Sequence, residues 1–425
     1  MKSFRKSAPP VSTIRKIDFP HTNTFRLPNG ILITEITSGT QDILKMEVVH
    51  HAGRSVEDSH IAGRATAMLL REGTRSMSSS TIAEHIDFYG ASIKTASNMD
   101  FSYSTLYTLS RYFPEVLPVF TSLYREPVFD EGEIEKFKKS NVQKLLEELS
   151  KNDVISYRQI TSEIFGPEHP YGYNSEVRDY LAMTRSDICN HFDHYYGTDN
   201  CHIFISGKTT DGIVKQISDS FSFDLKQAVK KEYHSPDLVY QGKQTILKSR
   251  NEHQVAIKIG RKLFNRHHPD HTSFFILNTI LGGYFGSRLM GSIREQLGYT
   301  YDIFSSMDQM LYDGLFYIST EVSPEFADKT TDEIYRQMQL LRTIPVSDEE
   351  LRMVKNYIMG NLLNFMDGPM NVSSFIRSVV LAGLSAEDFA KFVDDIHAVT
   401  PDRLMETANS YLTEESMAEV RVLPE

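Results

Sequence analysis

Residues 61–74 read IAGRATAMLLREGT. Its apolar spacing predicts a helix from about Ile61 to Glu72, with Ala65, Met68 and Leu69 filling a core and Arg64 solvated or paired. Upstream, Thr24 to Val49 reads as two strands. Gly30 and the Ser38-Gly39 pair supply turns between apolar alternations such as Ile31 and Ile33. Downstream, Thr81 can cap a further helix, with Glu84 completing a capping box, Ile82, His85, Ile86 and Tyr89 along one face, and Gly90 at its end. Strands are expected at 91–98 and 101–109, and helices at 111–124, 133–150 and 154–165. The loop GPEHPYGYNSE (166–176) and a strand at 202–206 follow.

The second half repeats the first. GASIKTASNMDFSYSTLYTLS (90–110) is echoed by LGYTYDIFSSMDQMLYDGLFYIST (297–320), and REPVFDEGEIEKFKKSNV (125–142) by RTIPVSDEELRMVKNYI (342–358). Self-similarity at half the chain length points to duplicated domains. The Lys- and Asp-rich stretch after Lys208 lacks a sustained apolar period, which places a linker at 211–241 between domains at 23–210 and 242–425. The start, MKSFRKSAPP, is read as part of a loose arm over 1–22.

With 425 residues the chain has length for two cores. A charged fraction of 24% and a net charge of −11 argue against a general nucleic-acid or anionic-membrane binder. Cys189 and Cys201 are the only cysteines, too few for a disulfide framework or a cysteine-rich zinc site. No run approaches the roughly 20 apolar residues of a membrane helix. The expectation is a cytoplasmic protein.

Several pieces in order carry a family resemblance: Leu70–Thr74, Glu168-His169-Pro170-Tyr171-Gly172, Gly282-Gly283 followed by Ser287-Arg288-Leu289, and Arg294–Tyr301. From about Phe25 to Leu423 the chain resembles the pitrilysin or insulinase family of zinc peptidases, and in particular subunits similar to those of mitochondrial processing peptidase. The resemblance implies an α+β fold of two duplicated, metallohydrolase-like α/β rolls, mostly antiparallel sheets with helices packed on one face. It also implies that two subunits close on a peptide like a clamshell.

Hydrolytic members carry H-x-x-E-H on a helix, where His at i and i+4 hold zinc and the Glu acts as base. Aligned on Gly73-Thr74, these positions fall on Arg64, Ala67 and Met68. Guanidinium offers no lone pair, Ala has no functional group and a thioether is a poor zinc ligand. The family's third ligand falls on or near Leu145, with Glu147 and Glu148 within a turn. Lys94-Thr95 stand where the substrate-receiving strand usually has Asn-Ala. His267-His268-Pro269-Asp270-His271 is the one candidate for a substitute metal site, but Pro269 favours a helix start there instead. His50-His51, His85 and His169 lack a nucleophile to serve and are read as structural.

In two-chain members, one subunit supplies the zinc helix and the other an Arg and a Tyr from its second half. Here Arg294 and Tyr301 stand at that separation, able to donate to a substrate carbonyl or its developing oxyanion. Tyr299 is a neighbouring alternative. The competing reading pairs Arg294 with Glu295 or Asp302 and leaves Tyr301 to packing. Gly282 and Gly283 resemble the glycine loop near the chamber mouth, or form a plain turn between helices. The resemblance thus implies a substrate-binding subunit without metal, zinc being in a homologous partner. The alternatives are a scaffold like the core subunits of respiratory complexes and a homodimeric peptide-binding protein.

Overall fold

A computed structural model describes residues 14–39, 41–210, 212–223, 226–233, 244–249 and 253–425. Much of the expected arm and linker therefore lies outside the described residues. The first sheet contains β1 (Asn23–Arg26), β2 (Leu32–Thr37), β3 (Ile43–His50), β4 (Ser92–Ser97), β5 (Ser102–Leu109) and β6 (Cys201–Gly207), in the order β1-β2-β6-β3-β5-β4. The second contains β7 (Gln244–Ser249), β8 (Val255–Leu263), β9 (Ile303–Gln309), β10 (Gly314–Val322) and β11 (Ala418–Pro424), in the order β7-β11-β8-β10-β9. Among the described residues only β2–β6 and β7–β11 pair in parallel.

Set β1 aside and both sheets have one topology: first strand, last, second, fourth, third. The repeat read at 90–110 and 297–320 coincides with the β4–β5 and β9–β10 hairpins. The fold is α+β, as expected. Two local readings change. The segment from Thr24 to Val49 forms three strands because both turn signals are used. The helix Ser79–Phe88 is capped by Ser78, not Thr81, since Ser78 Oγ accepts the Thr81 N–H at 3.2 Å. Gly90, at φ +61°, terminates it.

Each sheet is also covered on its second face, by a helix from the opposite half. In β3, Leu44, Met46 and Val48 join the core beneath the helices of their own half. Val49 and Phe204 instead pack with Val372 and Ile376 of helix Pro369–Leu381. Reciprocally, Ile160 and Ile164 of helix Asn152–Phe165 pack with Ala256, Val420 and Val422 of the second sheet. Strands buried on both faces read as nearly continuous apolar runs, and seven of the eight β3 residues are buried.

Ion pairs clip these crossed helices down. On β3, Glu47 pairs with Lys45 at 2.7 Å and with Arg377 of the crossing helix, while Lys45 Nζ donates to Ser374 Oγ at 3.1 Å. On β8, the buried Lys258 reaches Asp153 of the other crossing helix. Tyr157 adds a hydroxyl donated to Asp308 at 2.7 Å.

Candidate functional site

The helix observed within residues 61–74 is Ala62–Leu69, and its start is tightly held. Ile61, at its N-cap, has φ +71°, a conformation that costs a β-branched residue energy and persists only when its surroundings fix it. The Glu57 carboxylate does this by accepting the N–H groups of Ile61 at 3.2 Å and Gly63 at 3.0 Å, and it also accepts the Tyr173 hydroxyl. Arg54 lies 4.3 Å from the Tyr173 ring centroid and donates to the Tyr173 carbonyl at 2.9 Å. Burial pushes the Glu57 carboxyl up to about 7, against the opposing pull of Arg54 and the amide donors. Sequence reading missed this anchor because Glu57 is four residues upstream and matches no capping pattern.

Arg64 points outward and donates from Nη2 to Asn141 Oδ1 at 3.1 Å, on the neighbouring helix Glu131–Glu148. Ala67 is buried, and Met68 packs against the core cluster that contains the buried Leu145. Glu147 is exposed, and Glu148 faces Lys144 at 3.9 Å. Lys94 and Thr95 lie on β4, the edge strand of the first sheet. Lys94 extends over the Tyr107 ring, Thr95 Oγ1 is buried with no partner, and Arg71 donates to the Ile93 carbonyl at 3.3 Å.

The second-half residues sit at and just before the edge strand β9. Arg294 belongs to a wide helical turn, Met290–Gln296, with its guanidinium carbon 4.6 Å from the Phe285 centroid. Among the described residues no carboxylate pairs with it, neither Glu295 nor Asp302. Tyr301 is 92% exposed. Tyr299 differs, stacking on Phe326 at 4.6 Å with an interplanar angle of 11°. Gly282 is buried, and a Cβ there would stand 2.6 Å from Ser305 N, so the strand's close approach explains this glycine. Gly283 is exposed, but a Cβ would meet Thr279 Cα at 2.7 Å. No hydrogen bond or ion pair joins Arg294 or Tyr301 to the first-half positions among the described residues.

Residues 182–358 match the family model described as "Peptidase M16 inactive domain". The Bacillus subtilis "Uncharacterized zinc protease YmxG" is 22% identical over 352 residues, covering 81% of this chain and 84% of that protein. The Helicobacter pylori "Non-peptidase homolog YmxG" is 22% identical over 75% of each chain. In three dimensions the chain is similar to a peptidase M16 inactive domain from Pseudomonas fluorescens, with TM-score 0.86, 18% identity and coverage of 95% and 98%. The chain is similar to the M16 peptidase family. A Helicobacter pylori protease structure also aligns at TM-score 0.86 with 15% identity, covering 95% of this chain and all of that one.

At the positions aligned with the zinc motif, the residues present do not suit a metal. An outward guanidinium, a methyl group, a core thioether and a buried Leu145 do not fit zinc. Among the described residues no group of three His, Cys, Asp or Glu could hold a metal. At the 267–271 cluster, His267 Nε2 bonds the Ala382 carbonyl at 2.7 Å, His268 stacks on Phe264, and His271 bonds Gln309 at 3.0 Å. The helix there begins at His271, as Pro269 led us to expect. His50 is stacked between Tyr124 and Tyr196. His169 bonds the Tyr233 hydroxyl at 2.9 Å, and His85 the Glu115 carbonyl at 3.2 Å. Cys189 and Cys201 are free thiols. Among the described residues no helix is long and apolar enough to cross a membrane.

Proposed function

We propose that this protein is the non-catalytic, substrate-binding subunit of a two-chain zinc peptidase of the cytoplasm. One contrast carries the reading: the helix that would hold the metal has no ligands, while Arg294 and Tyr301 have no polar side-chain partners among the described residues. A guanidinium and an exposed phenol can each donate to a peptide carbonyl and stabilise negative charge developing on its oxygen, in a site completed by a homologous zinc-bearing chain. The edge strands β4 and β9 offer main-chain groups to an extended peptide, with Lys94 and Thr95 on the first.

The test is co-expression with a related chain carrying an intact H-x-x-E-H. The protein alone is expected to contain no stoichiometric zinc and to cleave little, while the pair cleaves peptides. One zinc per chain with chelator-sensitive cleavage by this chain alone would overturn the proposal. The second reading, a scaffold or homodimeric peptide binder, draws support from the "Non-peptidase homolog" name of the Helicobacter pylori relative. It predicts assembly or peptide affinity with no gain of cleavage.

A further inference from the structure

A second polar site lies where the two halves meet. A cleft of about 250 Å³ is lined by Asp100 and Tyr103 of the first half, by Arg266 and Gln309 of the second, and by Arg377 of the crossing helix. Arg266 uses only Nε, donating to Gln309 Oε1 at 3.0 Å, and no carboxylate pairs with it among the described residues. Burial pulls its guanidinium below the usual arginine range with no opposing acid. Gln309 Oε1 also receives His271 Nε2 at 3.0 Å. Because arginine can only donate, the oxygen of the Gln309 amide must face Arg266. That leaves Gln309 Nε2, which is buried and has no partner among the described residues.

The other charges in the cleft are already committed. Arg377 is paired with Glu47. Asp100 accepts the Tyr171 hydroxyl at 2.5 Å on one oxygen and the Leu311 N–H at 2.8 Å on the other. The surplus is therefore of donors, the two terminal nitrogens of Arg266 and the orphaned amide of Gln309, and it calls for an acceptor with two oxygens in one plane. A buried donor left unmade is costly, and a guanidinium end meets a carboxylate fork to fork. The volume suits a group of a few heavy atoms, below the range of drug-sized pockets.

We propose that this cleft binds a carboxylate, held by Arg266 and Gln309. The site is independent of the peptidase reading and of Arg294 and Tyr301. Its source is either a free small acid or the carboxyl end of a peptide.

The experiment is calorimetric titration of the full chain at constant ionic strength with succinate, with a pentapeptide ending in a free carboxylate, and with the same peptide amidated. Saturable binding of succinate alone identifies a free acid; binding of the free but not the amidated peptide identifies a chain end. Arg266→Gln removes the fork, and Gln309→Glu supplies Arg266 with a carboxylate from the chain itself. Each is expected to weaken binding by about tenfold or more, with Gln309→Glu keeping or raising the melting temperature. The proposal is overturned if neither succinate nor the free peptide saturates, if the amidated peptide binds equally well, or if either variant keeps its affinity.

Discussion

Arg294 and Tyr301 offer a clean separation of function from stability. Tyr301 is 92% exposed and its hydroxyl bonds nothing among the described residues, so Tyr301→Phe is expected to change folding stability by less than about 0.5 kcal/mol. Arg294 loses only its stacking on Phe285, itself 63% exposed, at about 0.5–1 kcal/mol. If the two donate to the charge that develops on a substrate carbonyl, removing either lowers turnover by about 10²–10³, the cost of one missing oxyanion donor. The assay is kcat of the reconstituted pair for each variant, alongside melting temperature and partner affinity. Unchanged kcat with normal assembly would refute the shared-site argument and favour a scaffold. A large fall in melting temperature would refute the structural reasoning instead, since it would mean that these side chains pack.

Removing the Glu47 carboxylate leaves Lys45 and Arg377 without their counter-ion, so Glu47→Leu is expected to cost about 3–5 kcal/mol in denaturant unfolding. Lys45→Met added to it should recover most of that loss, and a double variant as unstable as the single would contradict the assignment. Burial pushes His50 down to about 3 and His191 to about 4, so both are neutral in the fold while the unfolded chain gains their protons near pH 6.5. Their contribution is whole above that pH and is lost as pH falls toward 4. The urea midpoint should drop over this window, and less steeply in His50→Phe. Gly282→Ala puts a methyl against Ser305 N and is expected to destabilise by about 1–3 kcal/mol. An unchanged melting temperature would return this glycine to a role in substrate contact.

Local chemistry was legible in the chain itself. Whether a side chain can bind a metal is a covalent property, and no fold gives Arg64, Ala67 or Met68 the missing ligand atoms. The repeat of 90–110 at 297–320 was equally direct, because alternation and turn residues act over a few positions. Arg294 and Tyr301 were singled out by the family resemblance, but only the structure showed the first stacked on Phe285 and the second exposed, while Tyr299 is occupied by Phe326. The burial of Gly282 against Ser305, Leu145 within the core and the left-handed Ile61 held by Glu57 were likewise decided by packing. So were the crossing of Asn152–Phe165 and Pro369–Leu381 between halves and the meeting of Arg266, Gln309 and Arg377 in one cleft. Those arrangements join segments far apart in the chain, and their partners are selected by which faces can be buried together, a condition that local periodicity does not encode.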